Sequence, residues 1–155
     1  MKNKISLLLF FGIAFLNPNT FFAQQSWSKQ KKIGYFLQKK EIYQNKRLPD
    51  NYNILSLNKE VFEARLKSSK ENFIKLPNAT GNLIKFKVTK SSNFNHLLQA
   101  KYPNIKSYTA YCIDDPTITA SMSMGSDGFH AAIYSKKETT VYIDPFTKNQ
   151  KDYIV

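Results

Sequence analysis

The sequence predicts an α+β domain in which an antiparallel β-meander of about four or more strands carries one or two helices packed on one face. Three observations lead to this fold class. Polar and apolar residues alternate in several stretches after residue 81, one segment between them has helical periodicity, and Gly, Asp or Pro separates the stretches. A length of 155 residues leaves room for one domain of this kind.

The N-terminus has the charge and hydropathy order of a secretory signal peptide. Two lysines precede an apolar run at 5–16, and a polar break follows at 17–20. This run is shorter than the roughly 17–25 residues that a membrane-spanning helix needs, although a buried core helix is an alternative. We therefore expect residues 1–23 to be removed by cleavage between Ala23 and Gln24. The mature chain would then be secreted, through the periplasm in transit, without a stable membrane anchor.

Residues 24–75 are predicted to form a basic N-terminal segment with one helix. Asn58 is a suitable N-cap for a helix from about Lys59 to Ser68. The apolar side of this helix consists of Val61, Phe62 and Leu66. A turn is expected at 48–51, and the rest of 25–55 gives no clear periodicity.

Residues 76–155 are predicted to form the α+β core. Alternation predicts strands within 82–90, 105–113, 117–124, 129–134 and 141–143, with a four-residue hairpin loop at 125–128. A helix between the first two strands would begin at Ser92 or Asn93 and end at Pro103. Its apolar side consists of Phe94, Leu97, Leu98 and Tyr102. The apolar residues 153–155 fit either a fragment or a last strand at the sheet edge.

The charge is distributed unevenly along the chain. The formal net charge is +12, and residues 24–113 hold 17 basic and 5 acidic residues against 4 and 6 in 114–155. This excess indicates either an acidic partner surface or simply a lysine-rich solvated surface. Nucleic acid is not expected, because only two of the 23 basic residues are arginines and the chain has no nucleic-acid-binding signature.

Most enzyme classes that are recognised by motifs are excluded by the sequence. It contains no HExxH, Walker, GxGxxG or GxSxG pattern, and no pair of glutamates is spaced for acid–base work. Its single cysteine, Cys112, permits neither an intrachain disulfide nor a cysteine-based zinc site. His96 and His130 fall on different elements without a partner at ligand spacing. We therefore expect a non-catalytic chain that needs no cofactor or metal.

Five short pieces of the sequence follow one another in a specific order: Phe86-Lys87-Val88, Lys101-Tyr102-Pro103-Asn104-Ile105-Lys106-Ser107-Tyr108, Asp114-Asp115-Pro116, Gly128-Phe129-His130-Ala131 and Tyr142-Ile143-Asp144-Pro145. Through these pieces, residues 76–145 resemble the propeptide of secreted reprolysin-like zinc metalloproteases of Bacteroidetes-type bacteria. Their order and spacing are more specific than any single piece. The chain differs at Ala110-Tyr111-Cys112, where the family leads us to expect a small glycine-containing segment.

The resemblance implies a prodomain whose partner is the catalytic domain of a secreted zinc metalloprotease. Such a prodomain keeps the protease latent either by filling its substrate cleft or by supplying a ligand to the zinc ion. Cys112, Asp114 and Asp115 are the candidate latency contacts on this reading. Their alternative roles are structural, as a core thiol within a strand and as turn residues before Pro116. A free-standing secreted binding module is the alternative function.

Overall fold

The computed structural model describes residues 25–30, 48–68, 72–91 and 96–155, which form an antiparallel sheet of nine strands with two helices. The strands are β1 (Trp27–Lys29), β2 (Ile54–Leu57), β3 (Phe73–Pro77), β4 (Leu83–Ser91), β5 (Lys106–Cys112), β6 (Thr119–Gly125), β7 (Gly128–Tyr134), β8 (Val141–Pro145) and β9 (Asp152–Ile154). The helices are α1 (Lys59–Lys67) and α2 (His96–Lys101). The predicted signal peptide, with Ala23 and Gln24, lies outside these residues, as do Ser92, Asn93 and Phe94.

The sheet is strongly curved. Its strands neighbour one another in the order β1-β2-β9-β8-β7-β6-β5-β4-β3, and each neighbouring pair is antiparallel. The two edge strands, β1 and β3, approach each other without forming a ladder, so the sheet is a nearly closed barrel. Strands from both sides of residue 75 therefore belong to one sheet, and β3 itself crosses that position.

The hydrophobic core lies inside this curved sheet. Along β4 to β8, one residue in two points inward and is buried, as the alternation of the sequence indicates. Met122 and Met124 on β6 belong to this core, together with Cys112 on β5. Five predicted strands are thus confirmed as individual elements.

Helix α1 is also confirmed, and it packs one aromatic side chain into the barrel. The side-chain oxygen of Asn58 accepts a hydrogen bond from the backbone N–H of Val61 at 3.1 Å, which caps the helix. Phe62 is fully buried, and its ring meets Phe129 of β7 with the centroids 4.8 Å apart in a T-shaped arrangement. Trp27 and Tyr153 complete this aromatic cluster.

The predicted fold class was wrong. The protein is mostly β and forms a nine-stranded antiparallel barrel-like sheet, whereas we expected an α+β meander of about four strands with helices packed on one face. Helix α2 does not cover the sheet in the predicted way, because Leu97 and Leu98 are 69% and 43% exposed. The inward side chains of the curved sheet, together with Phe62, form the core, so no covering layer of helices is needed.

The hairpin between β6 and β7 is tighter than predicted. Gly125 and Gly128 already pair across the two strands, so only Ser126 and Asp127 form the connection. Gly128 has φ +118°, and a Cβ atom there would lie 2.8 Å from Cγ of Pro145. Among the described residues, no helix is both long and apolar enough to cross a membrane.

Candidate functional site

The outer face of the barrel carries a row of small polar side chains that ends at a histidine. The register of β4 to β7 places Ser91, Ser107, Ser123 and His130 opposite one another on successive strands. Asp144 of β8 extends the row through its contact with His130. A shallow cavity of about 330 Å³ lies over this part of the sheet, and the exposed Tyr142 stands at its side.

The imidazole of His130 is held between two carboxylates. Its Nδ1 lies 2.7 Å from Oδ1 of Asp144, and its Nε2 lies 3.2 Å from Oδ2 of Asp127 in the β6–β7 turn. The hydrogen bond with Asp144 is the main cause that raises the pKa of His130 above its ordinary value. Partial desolvation opposes this rise in the pKa, and the charge of Asp127 adds to it. The protonated ring would donate one hydrogen bond to each carboxylate.

This arrangement does not activate a nucleophile. Ser123 is the cross-strand neighbour of His130, and Asp144 binds Nδ1 as the acid of a catalytic triad would. Nε2, the atom that would accept a serine proton, is instead directed to Asp127. The same two contacts place the two carboxylates at different nitrogen atoms of the ring. The described residues contain no group of three or more acidic, His or Cys side chains that could hold a metal.

The predicted latency residues are separated by the sheet. Cys112 points into the core and is only 2% exposed, whereas Asp114 lies exposed in the turn that follows β5. Oδ1 of Asp115 accepts hydrogen bonds from the backbone N–H and the hydroxyl of Thr117, at 3.0 and 2.6 Å. These two bonds lower the pKa of Asp115. The structure therefore shows how these residues pack and turn the chain, and their latency role stays a prediction.

A lysine cluster lies on the outer face of β3 and β4, at the β3 edge of the sheet. Lys75 of β3 and Lys85 of β4 are directly opposite each other, and Lys87 follows two residues later on the same face. The ammonium group of Lys85 lies 4.5 Å from the ring centroid of Phe73. The ion pairs found in the described part of the chain involve none of these lysines. Like charges on directly opposite residues of neighbouring strands repel one another, so an anionic partner would stabilise the lysine cluster.

A polar cavity of about 560 Å³ lies on the far side of the barrel, between β2, the start of α1 and the β8–β9 loop. Asp152 lies at its wall and is almost fully buried, which raises the pKa of its carboxyl. Gln30 donates a hydrogen bond to the Ser56 hydroxyl at 2.6 Å, and that hydroxyl donates to Asp152. This chain of bonds satisfies the buried carboxyl and joins β1, β2 and β9 structurally.

Sequence reasoning did not find the pairing of His130 with Asp144. It treated His130 as a histidine without a partner at ligand spacing and named Asp144 only within the family resemblance. The signal was present in the alternation, since both residues occupy outward positions on consecutive strands. Only the register between β7 and β8 brings the two side chains together. The side chain of His96 is not among those that the structure describes.

Comparison of the chain with protein-family models, with curated proteins and with solved structures finds no match.

Proposed function

We propose that this chain is an exported, non-catalytic prodomain-like module that binds the catalytic domain of a secreted reprolysin-type zinc metalloprotease. It would assist the folding of that domain and hold it inactive until the module is cleaved away. The module itself breaks no bond and needs no cofactor. The proposal rests on the resemblance carried by residues 76–145 and on the surface that the fold builds from them.

The observation that carries the proposal is that two separate pieces of the resemblance meet in space. Gly128 packs against Pro145, where a larger residue would clash, and His130 of the same piece bonds Asp144 of the other. These contacts fix the register of the β7 and β8 pair at the hairpin end of the barrel. If the propeptides of the family share this pairing of strands, the same short pieces would be needed in each of them at the same spacing.

The lysine cluster supports a partner with an acidic surface. Lys75, Lys85 and Lys87 form a positive surface without an ion-paired carboxylate among the described residues, and such a surface attracts an acidic face of a partner protein. Charge complementarity of this kind increases the association rate and helps to exclude wrong partners.

The experiment is capture and inhibition. The exported protein is immobilised, exposed to the secreted zinc metalloproteases of its own host, and then added in purified form to any protease that it captures. We expect stoichiometric inhibition of casein cleavage. The double variant Lys85→Glu, Lys87→Glu should weaken inhibition at least tenfold. The matched control Lys136→Glu, Lys148→Glu changes the net charge equally on other exposed lysines and should inhibit as the unaltered protein does. No capture and no inhibition of any such protease would refute the proposal.

A free-standing exported binding module is the second candidate, because three tyrosines are exposed on the outer face. Tyr111, Tyr134 and Tyr142 lie on β5, β7 and β8, and Tyr142 is 63% exposed. Exposed tyrosines combine a flat apolar ring with a polar tip and are common in recognition surfaces. Binding to the cell surface that is lost in Tyr134→Ser and Tyr142→Ser, together with no effect on proteases, would favour this candidate.

A further inference from the structure

Among the described residues, the nearly closed barrel has one gap in its hydrogen bonding, between β1 and β3, which we call the β1–β3 seam. The two strands are the ends of a nine-stranded antiparallel sheet, so they run parallel to each other. An odd number of antiparallel strands cannot close into an antiparallel barrel. One further strand, antiparallel to both edges, would complete the ladder all the way round.

Both edge strands present to this seam backbone groups that bond to no other part of the chain that the structure describes. In β1, Gln30 donates its N–H to Ile54 of β2, and an antiparallel ladder alternates, so Trp27 and Lys29 direct their backbone N–H and C=O groups away from β2. In β3, Val88 donates to Asn72. The same alternation turns the backbone groups of Phe73 and Lys75 away from β4 and toward the seam.

One polar side-chain atom of β1 also has no partner among the described residues. The indole Nε1 of Trp27 is buried and has no hydrogen-bond acceptor among the described residues. Trp27 lines one of two cavities, of about 290 and 190 Å³, that lie along the seam. Both cavities are lined by Gln25, Lys75 and Leu83, and thus by both edges of the sheet. A buried N–H without an acceptor is uncommon in folded proteins.

Exposed side chains bridge the seam near its end, and the side-chain amide of Asn53 donates one of these hydrogen bonds to the backbone oxygen of Ala79 at 2.8 Å. Lys29 reaches across with its Nζ 3.5 Å from the backbone oxygen of Thr80 and 3.3 Å from Oδ1 of Asn82, and both contacts are exposed to solvent. To admit a strand, β1 and β3 must lie about 9–10 Å apart, which is two strand spacings, so these exposed contacts must give way. The outer face beside it carries Lys75 and Lys85, which favour carboxylates on an incoming strand.

We propose that the β1–β3 seam accepts an extended acidic segment of the partner protein as a tenth strand. The segment pairs with the free backbone groups of Trp27, Lys29, Phe73 and Lys75, and its outward carboxylates meet the lysine cluster. This deepens the proposed function by naming the docking edge, and it rests on that function only for the identity of the partner.

The direct test is amide hydrogen exchange of the exported protein, measured by NMR with a nine-residue peptide of alternating Glu and Val. We expect the amides of Trp27, Lys29, Phe73 and Lys75 to exchange at least tenfold more slowly with the peptide bound. A peptide of the same sequence, N-methylated at alternate residues, has the same charge but can pair through only one of its two edges, so it cannot bridge β1 and β3 and should bind at least tenfold more weakly. Equal binding of the two peptides, or no protection of the four amides, would overturn the proposal.

Two variants at one position separate the backbone from the charge. Lys75→Pro removes the N–H that points to the seam and costs no bond to β4, whereas the control Lys75→Thr removes the same charge and keeps the N–H. We expect the peptide to bind the proline variant at least tenfold more weakly than the threonine variant. If the proline variant does not fold, the exchange measurement decides.

The remaining outcomes assign the seam to other occupants or separate the two proposals. A dimer of this chain that Lys75→Pro abolishes would give the seam to a second copy and overturn the proposal. Protection of the same amides by a DNA duplex or by anionic vesicles would also overturn it. Protease capture that persists undiminished in Lys75→Pro would leave the proposed function standing and refute the seam. Peptide protection without any captured protease would support the seam and count against the proposed function.

Discussion

Replacing Phe62 with alanine removes the ring that joins helix α1 to the interior of the barrel. This side chain is fully buried and contacts Phe129 and Trp27, with ring centroids 4.8 and 5.9 Å away. Truncation of a buried phenylalanine costs about 3–5 kcal/mol, through lost transfer free energy and the cavity that is left. A domain of this size has a total stability of about 5–15 kcal/mol, so the loss is a large fraction of it.

Two further variants compare the cost of losing the Phe62 ring with the cost of an exposed substitution on the same helix. Phe62→Leu keeps most of the buried area and loses the two T-shaped ring contacts, so it should cost about 1–2 kcal/mol. Glu60→Gln on the same helix is exposed and should change the free energy of unfolding by less than about 0.5 kcal/mol. The three variants together separate core packing from any general weakening of the helix.

The assay is urea unfolding followed by the fluorescence of Trp27, the only tryptophan of the chain. Its indole touches the Phe62 ring, so it reports on the region that the substitution changes. Far-UV circular dichroism should give the same midpoint if unfolding is two-state. A cost below about 1 kcal/mol for Phe62→Ala would refute the conclusion that α1 is part of the barrel core.

Three further predictions follow from the described contacts. Asp144 and Asp127 raise the pKa of His130, so the stability that these contacts supply is complete below the unfolded pKa and is lost as pH rises through the folded pKa. The variant His130→Gln should not show this loss around neutral pH. Thermal unfolding at a series of pH values should detect the difference, which we expect to be below about 1 kcal/mol because the site is partly exposed. Asp152→Ala should cost about 1–3 kcal/mol in chemical unfolding, because it leaves the Ser56 hydroxyl without its acceptor. Asp152→Asn keeps an acceptor without burying a charge, so its free energy of unfolding at neutral pH should match or exceed that of the unaltered protein. The reverse order of the two variants would contradict this reasoning. Gly128→Ala should lower stability by about 1–3 kcal/mol, because it combines a positive φ with a clash against Pro145. Gly125→Ala should cost less, because its close contact is with the end of the Asp127 side chain and its contact with Ile105 is an ordinary one. Equal costs in thermal unfolding would show that the backbone of Gly128 is not constrained.

The strands that sequence reasoning found share a physical property. In β4 to β8, one face is buried and the other faces solvent, so the side-chain period of two is written in the residue types. The helix from Lys59 was found for a similar reason, since Asn58 supplies a local cap that needs no distant partner. Local patterns of this kind depend only on residues that are close together in the sequence, so they can be read without knowing the tertiary structure.

Four observed strands were not predicted outright: β1, β2, β3 and β9, although a last strand at 153–155 was one of the two alternatives for β9. Three of them, β1, β2 and β9, lack this pattern. β2 and β9 are short and largely buried on both faces, because Ile54 and Ile154 pack with Phe146 on the side opposite the main core. β1 has three residues, of which only Trp27 is buried. Such segments do not alternate, and β1 and β2 find their partners in the sheet more than 20 residues away in the chain. Without them the sheet looked like a short meander that needed helices to cover it.

The sequence by itself therefore determined the faces of the central strands, the cap and apolar side of α1, and the strongly basic character of the chain. Only the tertiary structure decided that the sheet curls into a barrel with one open seam, that Phe62 enters its interior, and that His130 meets Asp144. The reason is that alternation specifies which side of a strand is buried, whereas curvature, strand order and register come from contacts between distant segments. Those contacts also direct the backbone groups of the two edge strands, which no pattern of side chains records.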